Sequence, residues 1–140
     1  MPDPAGPERN MSERATRAVA EAFEASYRAL PASRQRLLRC LGLHPGPDFD
    51  VAAAAALGNL TLLHARRALT DLCERHLLIE SDGRYRFPEL VVGHVRRLAV
   101  SEPTVVRDAA LERLRAAARR AAARARRAPA DGETMNRWGR

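Results

Sequence analysis

Four residues of the chain have side chains of the types that bind zinc. His44 follows Cys40 by four positions and His76 follows Cys73 by three, so each pair lies within reach on one helical turn. Both cysteines also fall in segments patterned as buried helices, where a free thiol packs as a small apolar side chain. We therefore favour structural roles for all four residues and predict no metal site and no cofactor.

All 24 basic residues are arginines, and the chain contains no lysine. Without lysine, a P-loop contact to phosphate, a Schiff base and an amine acting as a general base are all excluded. No nucleophile with a base, and no pair of carboxylates, occurs at a spacing typical of an active site. The sequence predicts a protein that is not an enzyme and has no small-molecule substrate.

Arginines near the middle of the chain have the spacing of a DNA-reading surface. A helix predicted from Thr61 to about His76 would enter the major groove by its first half, and a following hairpin would reach the backbone or the minor groove. The candidate nucleic-acid-binding residues of this region are His64, Arg66, Arg67 and Arg84, with Leu63 beside them. Leu63 is apolar where a DNA reader usually has a polar residue, and nearby acidic side chains repel phosphates: Asp71, Glu74 and Asp82. A face that binds protein or is only solvated is the competing interpretation.

The C-terminal part of the chain carries most of the excess positive charge. Ser101–Arg140 contains ten arginines and five acidic residues, whereas Glu24–Glu89 contains nine and eight. Arg119, Arg120 and Arg124 are candidates for non-specific contact with phosphates. Because these arginines lie on all sides of a predicted alanine-rich helix, a solvated helix is an equally good interpretation. No aromatic residue interleaves with them, so nothing in the sequence supports a stacking platform for single strands.

Composition divides the chain into four segments. Residues 1–10, with three prolines, and residues 129–140 are predicted to be disordered, residues 11–102 form the globular domain, and residues 103–128 form the Arg/Ala-rich helix. No apolar run approaches the roughly 20 residues that span a bilayer, and the N-terminus has no signal-peptide pattern. We therefore expect a cytoplasmic protein with no membrane association.

Capping residues and breakers mark the predicted helices within these segments. Predicted N-caps are Ser12, Ser33, Asp50 and Thr61, and predicted ends are Pro31, Gly42 and the Gly58-Asn59 turn. A fifth helix has Pro88 in its first turn and is interrupted by Pro103. Apolar spacing places three groups of residues on inward faces: Leu62, Ala65, Leu69, Leu72 and Cys73 in the fourth helix, Leu90, Val91, Val95 and Leu98 in the fifth, and Val105, Ala109, Leu111 and Leu114 at the start of the last.

The clearest local signal is Asp82-Gly83 between two short β-patterned segments. This dipeptide accommodates the positive φ angles of a two-residue hairpin turn. The hairpin directly follows two helices that are joined by a tight turn, and this order defines a winged helix. We predict a mostly α fold, a winged helix-turn-helix with a two-stranded β-hairpin wing and a long C-terminal Arg/Ala-rich helix.

Several segments together carry a resemblance to a known family. They are Ser26–Pro31, Leu41–Phe49 with the sequence Leu-Gly-Leu-His-Pro-Gly-Pro-Asp-Phe, His76–Leu78, Gly83–Phe87 and Arg107–Leu111. In this order they resemble the winged helix that follows the NB-ARC ATPase in actinobacterial antibiotic-regulatory proteins and in relatives with tetratricopeptide repeats. The resemblance covers about Phe23–Ala99, together with Arg107–Leu111, which resembles the start of the helical region that follows the winged helix.

The resemblance implies a regulatory element rather than a catalyst. In that family the winged helix packs on the ATPase, and a His-Asp pair just after the wing senses the phosphates of the nucleotide. The matching positions here are Pro88 and Glu89, so the imidazole donor and one backbone N–H are absent. We therefore expect degenerate nucleotide-sensor positions and no nucleotide sensing.

These observations predict a non-catalytic winged-helix module that mediates protein interaction in a transcription-regulatory or signalling system. The expected partner is a protein, for which a separate ATPase or regulator is a candidate. The alternative is a direct DNA-binding transcription regulator that uses Arg66, Arg67 and Arg84, with the Arg-rich helix as a non-specific anchor.

Overall fold

A computed structural model of the chain describes residues 6–127, with side chains from residue 10 onward. The described part contains six helices and one two-stranded antiparallel sheet, which confirms the mostly helical prediction. In chain order the elements are α1 (Gly6–Ala29), α2 (Ala32–Leu41), α3 (Val51–Gly58), α4 (Leu62–Glu74), β1 (Ile79–Ser81), β2 (Arg84–Arg86), α5 (Glu89–Val100) and α6 (Thr104–Arg127). Within this part, no helix is long and apolar enough to cross a membrane.

Two helix starts differ from the prediction. α1 begins at Gly6, six residues before the predicted N-cap Ser12 and inside the segment 1–10. Proline is tolerated in a first turn, where its missing N–H has no helical partner, and the prolines alone therefore did not exclude a helix. α2 has Pro31 rather than Ser33 at its N-cap, and no side chain caps it. Residues 1–5 and the predicted disordered segment 129–140 lie outside the described residues.

α3 and α4 are joined by a turn that follows the predicted capping pattern. The Asp50 side chain accepts a hydrogen bond from the Ala53 N–H, and Thr61 Oγ1 accepts one from the His64 N–H. Asn59 ends α3 in the left-handed conformation, with φ of 55°. Asparagine tolerates this region better than most residues because its short side chain can bond locally.

The predicted hairpin is present with Asp82 and Gly83 as its turn. Their φ values of 53° and 77° are both positive, as a two-residue turn of this type requires, and Ser81 pairs with Arg84 across the ladder. An additional bridge links Tyr85 to Phe49 in the loop before α3: the Phe49 N–H donates to Tyr85 O at 2.9 Å and the Tyr85 N–H donates to Phe49 O at 2.7 Å. The hairpin is therefore fixed to the start of α3.

One apolar core lies between the helices and beneath the hairpin. Its largest fully buried side chains include Phe49, Leu38, Leu41, Leu69 and Val95. The inward faces predicted for Leu62, Leu90, Val105 and Ala109 are wrong, because all four side chains are exposed. The inward positions predicted at Val91, Val95, Leu98 and Leu114 are confirmed. Successive residues of a helix are about 100° apart, so Ala110 rather than Ala109 is buried in α6.

The first half of α6 is part of this core. Ala110 is fully buried and Leu114 packs against the buried cluster, whereas residues 118–127 are exposed except for Ala123. The boundary proposed between residues 102 and 103 separates segments that share one core.

Candidate interaction surface

The first half of α4 presents a mixed apolar and basic face. His64, Arg66 and Arg67 are exposed, and the Leu62 and Leu63 side chains are each 57% exposed. The structure thus brings the predicted α4 residues to one accessible region, but it places two leucines among them. Sequence reasoning placed Leu62 in the core, because it occurs at helical spacing with Ala65 and Leu69.

Arg66 lies beside the hairpin rather than apart from it. A shallow cleft between α4, the start of α3 and the hairpin is lined by Asp50, Leu62, Arg66, Gly83 and Tyr85. Arg66 and Arg67 form no ion pair with another described residue. Their guanidinium groups therefore remain available to a partner.

Arg84, the predicted phosphate contact of the hairpin, is held by Asp48. Arg84 Nε donates to Asp48 Oδ1 at 3.0 Å, and Arg84 Nη2 also bonds to the same carboxylate. These hydrogen bonds raise the pKa of Arg84 above its ordinary value. Contact between Arg84 and a phosphate would require this ion pair to open, so the role predicted for Arg84 in binding DNA gains no support from the geometry.

The Asp71 carboxylate is also paired with arginines within the fold. Its carboxylate accepts from Arg75 Nε at 3.1 Å and from Arg34 Nε at 3.2 Å. The hydrogen bond from Arg75, supported by Arg34, lowers the pKa of Asp71 below its ordinary value. The negative charge of Asp71, which was expected to repel phosphates, is therefore balanced by two arginines. The bond between Asp71 and Arg34 also connects α4 to α2.

The candidate arginines of α6 fall into two classes. Arg119 Nη2 lies 3.2 Å from Glu112 Oε1, and this bond lowers the pKa of Glu112. Arg120 and Arg124 are exposed, form no ion pair with another described residue, and line an open groove beside α3. Only these two of the three predicted α6 residues are free to bind an external group.

Arg113 has a structural role that sequence reasoning missed. Its Nε donates to Ala56 O at 2.7 Å and its Nη2 donates to Leu57 O at 2.8 Å, at the C-terminal end of α3. The last carbonyls of a helix lack helical partners and carry partial negative charge, so a cation there is favourable. The available signal was the position of Arg113, three residues after Ala110 and therefore on the buried side of α6.

A second missed contact joins three parts of the chain. The Arg39 guanidinium pairs through Nε with Glu102, whose side chain is only 11% exposed, and its Nη1 donates to the Tyr27 hydroxyl at 2.6 Å. Desolvation opposes the charge on Arg39, but the bonds to Glu102 and Tyr27 outweigh it and raise the pKa. This cluster connects α1, α2 and the α5–α6 loop.

The predicted nucleotide-sensor positions lie at the start of α5. Pro88 is the N-cap and is half-buried, whereas Glu89 is exposed in the first turn. Glu89 lines a cleft of about 300 Å³ together with His44, Arg86 and Arg96. His44 Nδ1 accepts from the Gly46 N–H at 3.0 Å and therefore has a structural partner. The absence of nucleotide sensing stays a prediction.

The cysteine and histidine pairs do not form a metal centre in the described part of the chain. No group of three or more His, Cys, Asp or Glu side chains there is placed to hold a metal ion. Cys40 is buried and Cys73 is half-buried, and burial raises the pKa of both thiols. Both are therefore harder to ionise than a free cysteine.

Comparison with curated proteins finds similarity to the regulatory protein AfsR of two Streptomyces species. The chain is 39% identical to AfsR of Streptomyces griseus over 100 residues, which are 69% of this chain and 10% of that protein. It is 40% identical to AfsR of Streptomyces coelicolor over 83 residues, which are 59% of this chain and 8% of that protein. The chain thus spans about a tenth of the length of these relatives. No model of a protein family matches the chain, and no solved structure matches it. Over part of its length, the chain is homologous to AfsR, an actinobacterial regulatory protein.

Proposed function

We propose that the chain is a non-catalytic winged-helix module that regulates transcription or signalling by binding a protein partner. The order of α3, a tight turn, α4 and a two-stranded hairpin is that of a winged helix. Homology to a regulatory protein supports the regulatory role. A separate ATPase or regulator is the kind of partner we expect, because the wing is followed by Pro88 and Glu89 rather than by a nucleotide-sensing pair.

The observation that carries this proposal is the apolar patch at the start of α4. Leu60, Leu62 and Leu63 are 36%, 57% and 57% exposed, and they are consecutive or nearly so along the chain. Apolar surface gains about 25 cal/mol per Å² when it leaves water, and a protein partner can cover it with apolar side chains. A DNA phosphate cannot, so the patch favours a protein over a duplex.

Direct DNA binding is the alternative, and Arg66 and Arg67 are the observation that favours it. Both are exposed on α4 and free of ion pairs with other described residues. Arginine is the residue most often used to read guanine in the major groove. Against the alternative, Arg84, the wing residue predicted to reach phosphate, is bonded to Asp48.

Salt-dependent affinity for one arbitrary DNA duplex separates the two proposals. The full chain is compared with the double variants Arg66→Ala/Arg67→Ala and Arg120→Ala/Arg124→Ala. Each arginine that neutralises a phosphate contributes about 0.9 to the slope of log affinity against log salt. We expect the α6 double variant to lower the slope by up to about 1.8, because whatever DNA affinity exists comes from the unpaired arginines of α6.

The α4 double variant serves as the internal comparison. We expect it to leave the slope unchanged, because a duplex on α4 would place phosphates against Leu62 and Leu63. A loss of slope confined to the α4 variant would favour the DNA reader instead. Far-ultraviolet circular dichroism of each variant checks that the helices are retained.

A further inference from the structure

An open groove of about 420 Å³ lies between α3 and α6, and we call it the α3–α6 groove. Leu60 and Leu62 line it on one side, and Arg120 and Arg124 line it from α6. The remaining lining is dominated by alanines of the two helices: Ala52, Ala55, Ala56, Ala116, Ala117 and Ala121. Small side chains on both walls leave room for a third helix at close distance, since helix separation depends on the side chains at the contact.

All the charged side chains that line the α3–α6 groove are positive. Arg113 is bonded to carbonyl groups of α3, but Arg120 and Arg124 are exposed and form no ion pair with another described residue. None of the described residues that line the groove is acidic. An apolar surface flanked by unpaired guanidinium groups is complementary to an apolar surface flanked by carboxylates.

We propose that the α3–α6 groove binds an amphipathic helix of a protein partner that has an apolar face bordered by acidic residues. This inference rests on the proposed protein-binding function and assigns its surface and the chemistry of the partner. The apolar face packs against the alanines and against Leu60 and Leu62, as in other helix-in-groove complexes. The carboxylates accept hydrogen bonds from Arg120 and Arg124.

The charge also disfavours two other occupants. A second copy of this chain would bring together two proteins that each carry a formal net charge of +7, which repel one another. A nucleic acid would satisfy Arg120 and Arg124, but it would cover Leu62 and the alanines with charged backbone. An acidic amphipathic helix satisfies both parts of the groove.

The test selects ligands from a displayed library of helical peptides of about five turns, with the full chain as bait. We expect the enriched peptides to carry apolar residues at i, i+3, i+4 and i+7 and acidic residues beside them. One enriched peptide is then synthesised, labelled and titrated against the variants by fluorescence anisotropy.

Two matched pairs of variants locate the binding site. Ala121→Trp fills the groove, whereas Ala122→Trp adds the same side chain at an exposed position of α6 that does not line it. Arg120→Glu reverses a charge at the groove, whereas Arg126→Glu reverses one outside it. We expect Ala121→Trp and Arg120→Glu each to weaken peptide binding about tenfold, which corresponds to about 1.4 kcal/mol. Each control should change the affinity less than about twofold.

The outcomes distinguish this inference from the function on which it rests. A peptide whose binding is unaffected by Ala121→Trp but lost in Leu63→Ser overturns the groove assignment and leaves the protein-binding function intact. Enriched peptides without acidic residues also overturn it. If sedimentation shows a dimer and Ala121→Trp dissociates it, the groove binds a second copy of the chain. If removal of residues 128–140 raises the peptide affinity tenfold, the groove binds the chain's own C-terminus. Failure to enrich any peptide, together with specific DNA binding through Arg66, would overturn both proposals.

Discussion

Both halves of α6 contain arginines, but the arginines of the two halves have different roles. In the first half, Ala110 is fully buried, Leu114 packs on the core and Arg113 donates to the carbonyl groups that end α3. In the second half, Arg120 and Arg124 are exposed and unpaired with other described residues. An arginine in the first half fixes two helices together, and an arginine in the second half is available to a partner.

The difference shows that the neighbours of a helix decide what its arginines do. α3 has eight residues and ends beside the first half of α6, so the carbonyl groups of its last turn face Arg113. Beyond that point, residues 118–127 of α6 are exposed except for Ala123. We therefore expect substitutions in the first half to change stability and substitutions in the second half to change binding.

The largest expected effect comes from charging the buried position of α6. Ala110→Asp places a carboxylate where the side chain is fully buried, and an unpaired buried charge destabilises a protein by about 3–5 kcal/mol. Ala122→Asp makes the same change at an exposed position and should alter the free energy of unfolding by less than about 0.5 kcal/mol. Urea denaturation measures both, and equal effects would show that α6 is not embedded in the core.

Removing the Arg113 contact should have the next largest effect. Arg113→Ala leaves Leu57 O without its donor and leaves Ala56 O with only the Asn59 N–H at 3.3 Å. Hydrogen bonds to charged groups contribute about 1.5–3 kcal/mol each at most. We expect a loss of about 2 kcal/mol, because water can replace part of the contact. Arg120→Ala is the control and should cost less than about 0.5 kcal/mol. A loss as large for Arg120 as for Arg113 would contradict the division of the helix.

The smallest expected effect is a change in the pKa of Glu112, which lies in the first half of α6 and pairs with Arg119 in the second half. The hydrogen bond from Arg119 lowers the pKa of the Glu112 carboxyl in the folded chain. A depressed carboxyl pKa stabilises the fold above the pKa of the unfolded chain, and this contribution is lost as pH falls through the folded value. Arg119→Gln should therefore raise the pKa of Glu112 toward its ordinary value in an NMR titration. Arg120→Gln should leave the pKa of Glu112 unchanged. A rise of this pKa in Arg120→Gln rather than in Arg119→Gln would indicate a different pairing along α6.

Features specified by short sequence patterns could be predicted. Asp50 and Thr61 cap their helices as expected, and Asp82-Gly83 forms the hairpin turn, because each depends on residues no more than a few positions apart. The start of α1 was misplaced because prolines were taken to exclude a helix that tolerates them in its first turn. The inward face of α5 was predicted correctly at Val91, Val95 and Leu98 but wrongly extended to Leu90, because adjacent apolar residues allow more than one inward stripe.

Contacts between distant parts of the chain could not be predicted from one sequence. Arg84 and Asp48 are 36 positions apart, Arg39 and Glu102 are 63 apart, and Arg113 and Ala56 are 57 apart. Nothing local distinguishes these arginines from Arg66, Arg67 or Arg120. Only the tertiary structure therefore shows which arginines are free to bind. It shows that Arg84 is paired with Asp48, and it adds exposed leucines to the candidate surface.

Selection of binding sites from a random pool of DNA duplexes tests the central claim most directly, because it asks whether the full chain reads sequence. If the chain is a protein-binding module, repeated rounds should enrich no reproducible motif, and the residual affinity should fall steeply with salt. The same selection with Arg66→Ala and with Arg67→Ala should give the same result. A reproducible motif that either substitution erases, with a loss of about 1–3 kcal/mol at the base pair concerned, would contradict the claim and establish the DNA reader.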